Sequence, residues 1–436
     1  MLILAMCPCQ KVPGRPRDDG MRPPGRMECG APALVAIPGQ LEIAVLPVEG
    51  GPGERAVAGV QYHAAGSRAA AAREVTTVGF DEQVDRTGVV QSCEDLMRFQ
   101  AMFARHFAHS VARQLGPEGE AAVLGGLHRY GRYRAELIHR ALARVAIPPT
   151  ARAVVTHWDM ADYHLASETD TGTIEGGDRA VTVTLRDPVE WQRWRTYEAG
   201  VDVARLYYRG VLPGLAEGLG ATVAFDPARL DLQRPWPVTW SLASAPDGPA
   251  APVHSHLFDR LDDAVEVARR TSMNNGALYY FCADAVTKRL DMLGEGVIRQ
   301  VVGDLAHERA DHQKTAHLAA GWELNVKTLM DHWDGQLISI WQFAPGVLTE
   351  GTWHQDCTWC PYAAVWGEFG QRGLDLGYLY DYELHPTYYR RYHPDMVVQF
   401  EGIKTRGDAT CKFRISMPSR QRPDEPRFRG YTGHDV

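Results

Sequence analysis

Apolar positions recur every three to four residues over Leu96–Leu115 and again over Val265–Leu293, which predicts an amphipathic helix in each place. A second helix follows each Leu-Gly break, from Glu118 to about Val145 and from Glu295 to about Ala320. β-rich runs come next. Arg152–His157 and Leu324–His332 read as strands, and so does Gln336–Phe343. Helices are expected from Pro188 and Pro361, because proline suits the first helical turn. Strands are expected over Thr222–Phe225, Val238–Leu242, Met396–Phe400 and Ala409–Ser416. Helices, an antiparallel sheet, one more helix and a closing hairpin define an α+β sandwich.

The order of elements is given twice, and single residues repeat with it. His157-Trp158-Asp159 recurs as His332-Trp333-Asp334, an offset of 175 (from 157 to 332). Pro188 pairs with Pro361, Gly200-Val201-Asp202 with Gly373-Leu374-Asp375, and Pro213 with Pro386. Such colinear matches predict two tandem copies of one unit, at 85–245 and 258–420, the first degenerate. The run Ala243–Pro252 lacks periodicity and reads as the linker. Residues 1–84 form a loose segment rich in Pro, Gly and Ala, with a short strand or two at Leu34–Pro47, and 421–436 form a tail.

The 436 residues are 45% hydrophobic and 23% charged, ordinary usage for a globular chain with ample core material. A net charge of −8, without a basic run, excludes a nucleic-acid footprint. No apolar run has membrane-spanning length and MLILAM is too short for a secretory signal, so a cytoplasmic protein is expected. Eight cysteines do not make a disulfide scaffold. Cys7-Pro-Cys9 has a poor spacing for structural zinc.

Reactive side chains concentrate in the second copy. Cys360 stands where the first copy has Asp187, Cys411 where it has Trp236, Asp381 where it has Tyr208, and His354 near Val181. The segment Gly351–Pro361 holds His354, Asp356, Cys357 and Cys360 just before a predicted helix N-terminus. Backbone N–H groups there favour a thiolate, which makes Cys360 the candidate nucleophile. His354 and Asp356 are the candidates for moving protons. The alternative for Cys360 is a small buried hydrophobe. Cys357-x-x-Cys360 also reads as half of a zinc site, closed by Cys411 and His354, or as a redox pair; no second C-x-x-C appears and no βαβ context is seen. Asp408 sits in a Gly-Asp turn, where its carboxylate bonds its own backbone or faces a ligand. Cys411 and Phe413 share one face of the last strand, with Lys412 on the other. The His-Trp-Asp triplet, present in both copies, is architectural and holds a strand end.

Cys360-Pro361, the Gly377–Glu383 segment with Asp381, and Gly407-Asp408-x-x-Cys411-x-Phe413 together resemble the L-2-amino-thiazoline-4-carboxylic acid hydrolase family, over roughly 295–416. That resemblance implies hydrolytic opening of a small cyclic amidine or related C–N heterocycle. Cys360 would attack, His354 or Asp356 would manage protons, and Asp381, Asp408 and Cys411 would contact the substrate. No cofactor or metal is implied, and the partner is a small molecule, as in specialised metabolism. Cys357 and the duplication have no place in the family pattern. The alternative is a non-enzymatic protein that binds a small molecule in a cysteine-lined pocket.

Overall fold

The computed structural model describes residues 85–425 except 246, 248–250, 254–256 and 334–339, together with the short strands β1 (Ile43–Ala44), β2 (Gln61–Tyr62) and β3 (Thr77–Val78). The remaining expectations for the N-terminal segment and for 426–436 lie outside the described residues, as does the first half of the run Gln336–Phe343.

The chain forms a mixed structure of long helices and antiparallel sheets. Helix α1 (Arg86–His106) begins at Asp85, whose carboxylate accepts the Gly88 N–H, and runs on through a π-helical stretch, Phe107–Arg113. Helix α2 spans Gly116–Arg144. Two short helices follow, α3 (Ala151–Thr156) and α4 (Ala161–Glu168), then the hairpin β4 (Gly172–Gly176) and β5 (Ala180–Leu185). Helices α5 (Val189–Trp194) and α6 (Gly200–Leu219) lead to β6 (Thr222–Ala224) and β7 (Trp236–Ser241). Gly131 of α2 and Gly214 of α6 permit a close crossing, because a Cβ on either would strike the other helix's backbone at 2.3 and 2.0 Å.

After β8 (Ala251–Pro252), helix α7 covers Leu261–Ala319 and is broken at Asp291, whose φ of 48° is left-handed. Then come α8 (Val326–Asp331), β9 (Gln342–Phe343), β10 (Gly346–Leu348), β11 (Thr352–Trp359), α9 (Pro361–Glu368), α10 (Gly370–Tyr392), β12 (Val397–Gly402) and β13 (Cys411–Ser416).

The two sheets are ordered alike: β6-β7-β5-β4-β8 in the first and β12-β13-β11-β10-β3 in the second, with β9 also on β11. Their central ladders have the same length. Ala180–Leu185 runs against Ser241–Trp236, and Thr352–Cys357 against Ser416–Cys411. One apolar core joins both halves. Polar contacts reinforce it: Glu308 of α7 meets Arg105, His106 and Arg193 from the first half and accepts the Tyr197 hydroxyl.

Three expectations are corrected. The strands expected over Arg152–His157 and Leu324–His332 are the helices α3 and α8. The side chains of Thr150 and Asn325 accept the Ala153 and Thr328 N–H groups and nucleate a helical turn that outweighs the β-propensity of the following residues. Trp158 and Asp159 therefore follow a helix end rather than hold a strand end. Both are buried, with Asp159 paired to buried Arg134 at 2.9 Å. Part of the expected linker, Ala251–Pro252, is an edge strand on β4, a place that tolerates proline. The described start of the expected tail, 421–425, is held to the sheet: Glu425 is buried and accepts the Thr352 hydroxyl at 2.9 Å. Among the described residues no helix is long and apolar enough to cross a membrane.

Candidate functional site

Strand β11 determines which side chains meet. Successive residues point to opposite faces, so Trp353 and Cys357 share one face while His354 and Asp356 share the other. On β13 the same alternation puts Cys411 and Phe413 on the inner face and Lys412 and Arg414 on the outer. The inner faces, α9 and α10 enclose a cavity of about 60 Å³. Cys357, Cys360, Asp381, His385 and Cys411 line it, among aromatic rings that include Trp341 and Trp353. Roughly 150 Å³ takes a benzene ring, so this cavity admits a group of a few heavy atoms.

Cys360 stands at the predicted helix start and is the N-cap of α9. Its Sγ accepts the Ala363 N–H at 3.4 Å. The expected thiolate is corrected here. Burial pushes the Cys360 thiol well above its ordinary value, and the neighbouring Cys357, Cys411 and Asp381 push the same way. The helix end contributes about 0.3–2 kcal/mol in the other direction, less than the burial of the thiol among Cys357, Cys411 and Asp381. Cys357 is pushed up to about 12, chiefly by burial, and Cys411 is raised for the same reason.

Asp381 is buried on α10, where Thr405 donates to its Oδ2 at 3.3 Å. His385, one turn further along, brings Nε2 to 3.7 Å from Asp381 Oδ1 and packs on Phe413 with ring centroids 4.3 Å apart. The turn between β12 and β13 contains Gly407 at a φ of 95°, which favours glycine. There the Lys404 N–H bonds Cys411 Sγ at 3.3 Å, so the turn is fastened to both Asp381 and the thiol.

The other expected site residues lie elsewhere. Asp356 pairs with Arg414 at 2.7 Å on the outer face of the sheet, and Arg414 also meets Glu401 at 2.8 Å. His354 is on that face, directly across from Arg414 in the ladder. Burial, with the charge of Arg414, lowers its pKa. Neither residue lines the cavity, so the expected proton-handling pair does not meet Cys360. The Cys3His zinc closure fails for the same reason, and among the described residues no group of three or more His, Cys, Asp or Glu side chains has the arrangement of metal ligands. Asp408 accepts the Ile403 N–H at 2.8 Å and serves its turn rather than the cavity.

Three contributors escaped the sequence reading. His385 was signalled by its i, i+4 spacing from Asp381. Arg309 lines the cavity with its guanidinium 5.5 Å from the Trp333 ring, as Arg134 lies 5.1 Å from Trp158 in the first half. Both pairs share the 175-residue offset, which was the available signal. The Trp341 indole N–H is buried beside the cavity with no hydrogen-bond partner among the described residues, and nothing local announces it.

The first half fills the equivalent place in its element order with apolar side chains. Where the second half has Asp381, His385 and Cys411, the first has Tyr208, Leu212 and Trp236, all buried. Trp191 and Phe225 pack on Trp236 as well, with centroids 6.3 and 6.0 Å away. No protein-family model, curated protein or solved structure matches the chain.

Proposed function

We propose that the second half is a small-molecule site that hydrolyses a compact C–N heterocycle of the cyclic amidine class through a cysteine. The observation that carries this reading is the convergence of Cys360, Asp381 and His385 on one cavity. Sulfur of Cys360 adds to the amidine carbon while its proton passes to His385. The carbon–nitrogen bond then breaks, His385 returns the proton to the departing nitrogen, and water releases the carbon from sulfur. Asp381 orients His385 and faces the cationic amidinium. The Trp341 N–H supplies a donor for a substrate acceptor.

We further infer that the two halves are copies of one unit and that the first is a scaffold. The repeated element order, the matching sheet orders and the Arg134–Trp158 and Arg309–Trp333 pairs support this. A second reading, a binding protein without turnover, draws on the thiols that burial keeps protonated.

Incubation with small cyclic amidines, followed by mass spectrometry of ring-opened product, tests the proposal. Turnover is expected in the parent protein, and Cys360→Ser and His385→Gln should each lower it by about 10²-fold or more while leaving the circular dichroism unchanged. Binding without product, or full turnover by Cys360→Ser, rejects the nucleophilic role.

A further inference from the structure

The cavity thiols are not equivalent. Cys360 is engaged as the cap of α9, whereas Cys357 and Cys411 are directly opposed residues, the last pair in the β11–β13 ladder. Opposed residues on antiparallel strands hold their Cβ atoms about 4.5–5.5 Å apart, and a disulfide needs about 3.5–4.5 Å. Closing that gap takes about 1 Å. The sheet is irregular beside this pair. β11 shifts register against β9 between Cys357 and Trp359, and β12 against β13 between Phe400 and Gly402. Bulges of this kind bend and twist strands locally, which is the freedom the closure needs. The matching pair in the first half is Leu185 opposite Trp236, which contains no sulfur. Both thiols line the cavity, so a small reagent that enters it reaches them.

We propose that Cys357 and Cys411 are a redox-active cross-strand pair that a low-molecular-weight disulfide converts to cystine. One sulfur, as thiolate, attacks the reagent's disulfide and expels a small thiolate. The second sulfur displaces the other small thiolate from the mixed disulfide. The protein pair gives up two electrons to the reagent, and its two protons leave on the two released thiols. The S–H that Cys357 directs at the Trp359 carbonyl, 3.1 Å away, is lost in the process, so the cavity wall changes chemically with redox state. This inference is independent of the hydrolytic reading.

The test uses the full chain equilibrated at pH 8 with excess dimethyl disulfide, small enough for the cavity, then denatured and alkylated with N-ethylmaleimide. Chymotryptic cleavage after Trp359 separates Cys357 from Cys360. The expected result is a peptide joining Cys357 to Cys411, two hydrogens lighter than its parts and released by dithiothreitol, with Cys93, Cys282 and Cys360 alkylated. Cys360→Ser should retain the link. A bond from Cys360 to either partner, a persistent methylthio adduct, or alkylation of both Cys357 and Cys411 would overturn the proposal.

Discussion

Tyr208 and Trp236 pack with ring centroids 4.9 Å apart in the core of the first half, and the corresponding positions of the second half carry Asp381 and Cys411. Aligned by the repeated order of elements, two large rings in the first half stand where the second half has a carboxylate and a thiol. Because interiors are packed to near crystal density, losing that volume opens space unless neighbours move in. Asp381 and Cys411 both line the cavity of the second half.

The aromatic fill of the first half should therefore be worth a large share of its stability. Trp236 is buried against Trp191, Tyr208 and Phe225. Trp236→Ala is expected to cost about 3–5 kcal/mol in urea unfolding. A cost under about 1 kcal/mol would show that this half is loosely packed.

The Arg134–Asp159 pair is nearly inaccessible on both sides, and Asn274 also donates to Asp159 at 3.1 Å. Removing Asp159 leaves the buried Arg134 guanidinium only the more distant Asp162 carboxylate, at 3.9 Å. Asp159→Ala should destabilise by about 3–5 kcal/mol, measured by thermal or urea unfolding. The double variant Arg134→Met/Asp159→Leu should recover a substantial part of the loss. A double variant as unstable as the two single changes summed would refute the pairing account.

Glu308 gives the protein an acid-sensitive joint. Burial pushes its carboxyl up, but hydrogen bonding and charge from His106, with Tyr197 and Arg193, outweigh it and hold the pKa down at about 2 against an ordinary 4.5. A depressed carboxyl stabilises the fold above its unfolded value and loses that contribution as pH falls through the folded one. Stability should fall between pH 4.5 and 2 by about 3 kcal/mol from this group. Glu308→Gln should flatten that limb, as followed by unfolding midpoints across the range. An unchanged limb in the variant would assign the acid sensitivity elsewhere.

Cys360 should be a slow thiol. Burial raises its pKa, so the thiolate fraction near neutrality is small despite the helix start. Iodoacetamide labelling of the native chain is expected to lag behind the denatured chain at pH 7 and still to climb above pH 9. Fast labelling at pH 6, read at the single-peptide level, would mean an ion-paired thiolate.

Much of this molecule was legible locally. The break between the helices of α7 was expected at Leu293-Gly294 and lies at Asp291, and the helix at Pro361 begins where proline and the Cys360 cap place it. The closing strands appear near their expected limits, and Cys411 and Phe413 share a face. Asp381 stood out because the corresponding residue, Tyr208, is so different. Caps, prolines and alternation act between near neighbours, so they are present in the chain before it folds. Thr150 and Asn325 were local signals too, and their capping role was missed.

Three matters waited for the tertiary structure. His354 and Cys357 are three residues apart on one strand, and only the layer packed against β11 decides which of them faces the cavity. Arg309, Trp341 and His385 come from separate elements, so their meeting depends on how α7 and α10 lie against the sheet. The state of the Cys360 thiol follows from desolvation, which is the work of atoms remote in sequence, while the helix end that would favour a thiolate is local and weaker. The residues by themselves determined that thiols, carboxylates and imidazoles concentrate in the second half, and the packing of layers decided which of those groups face one another.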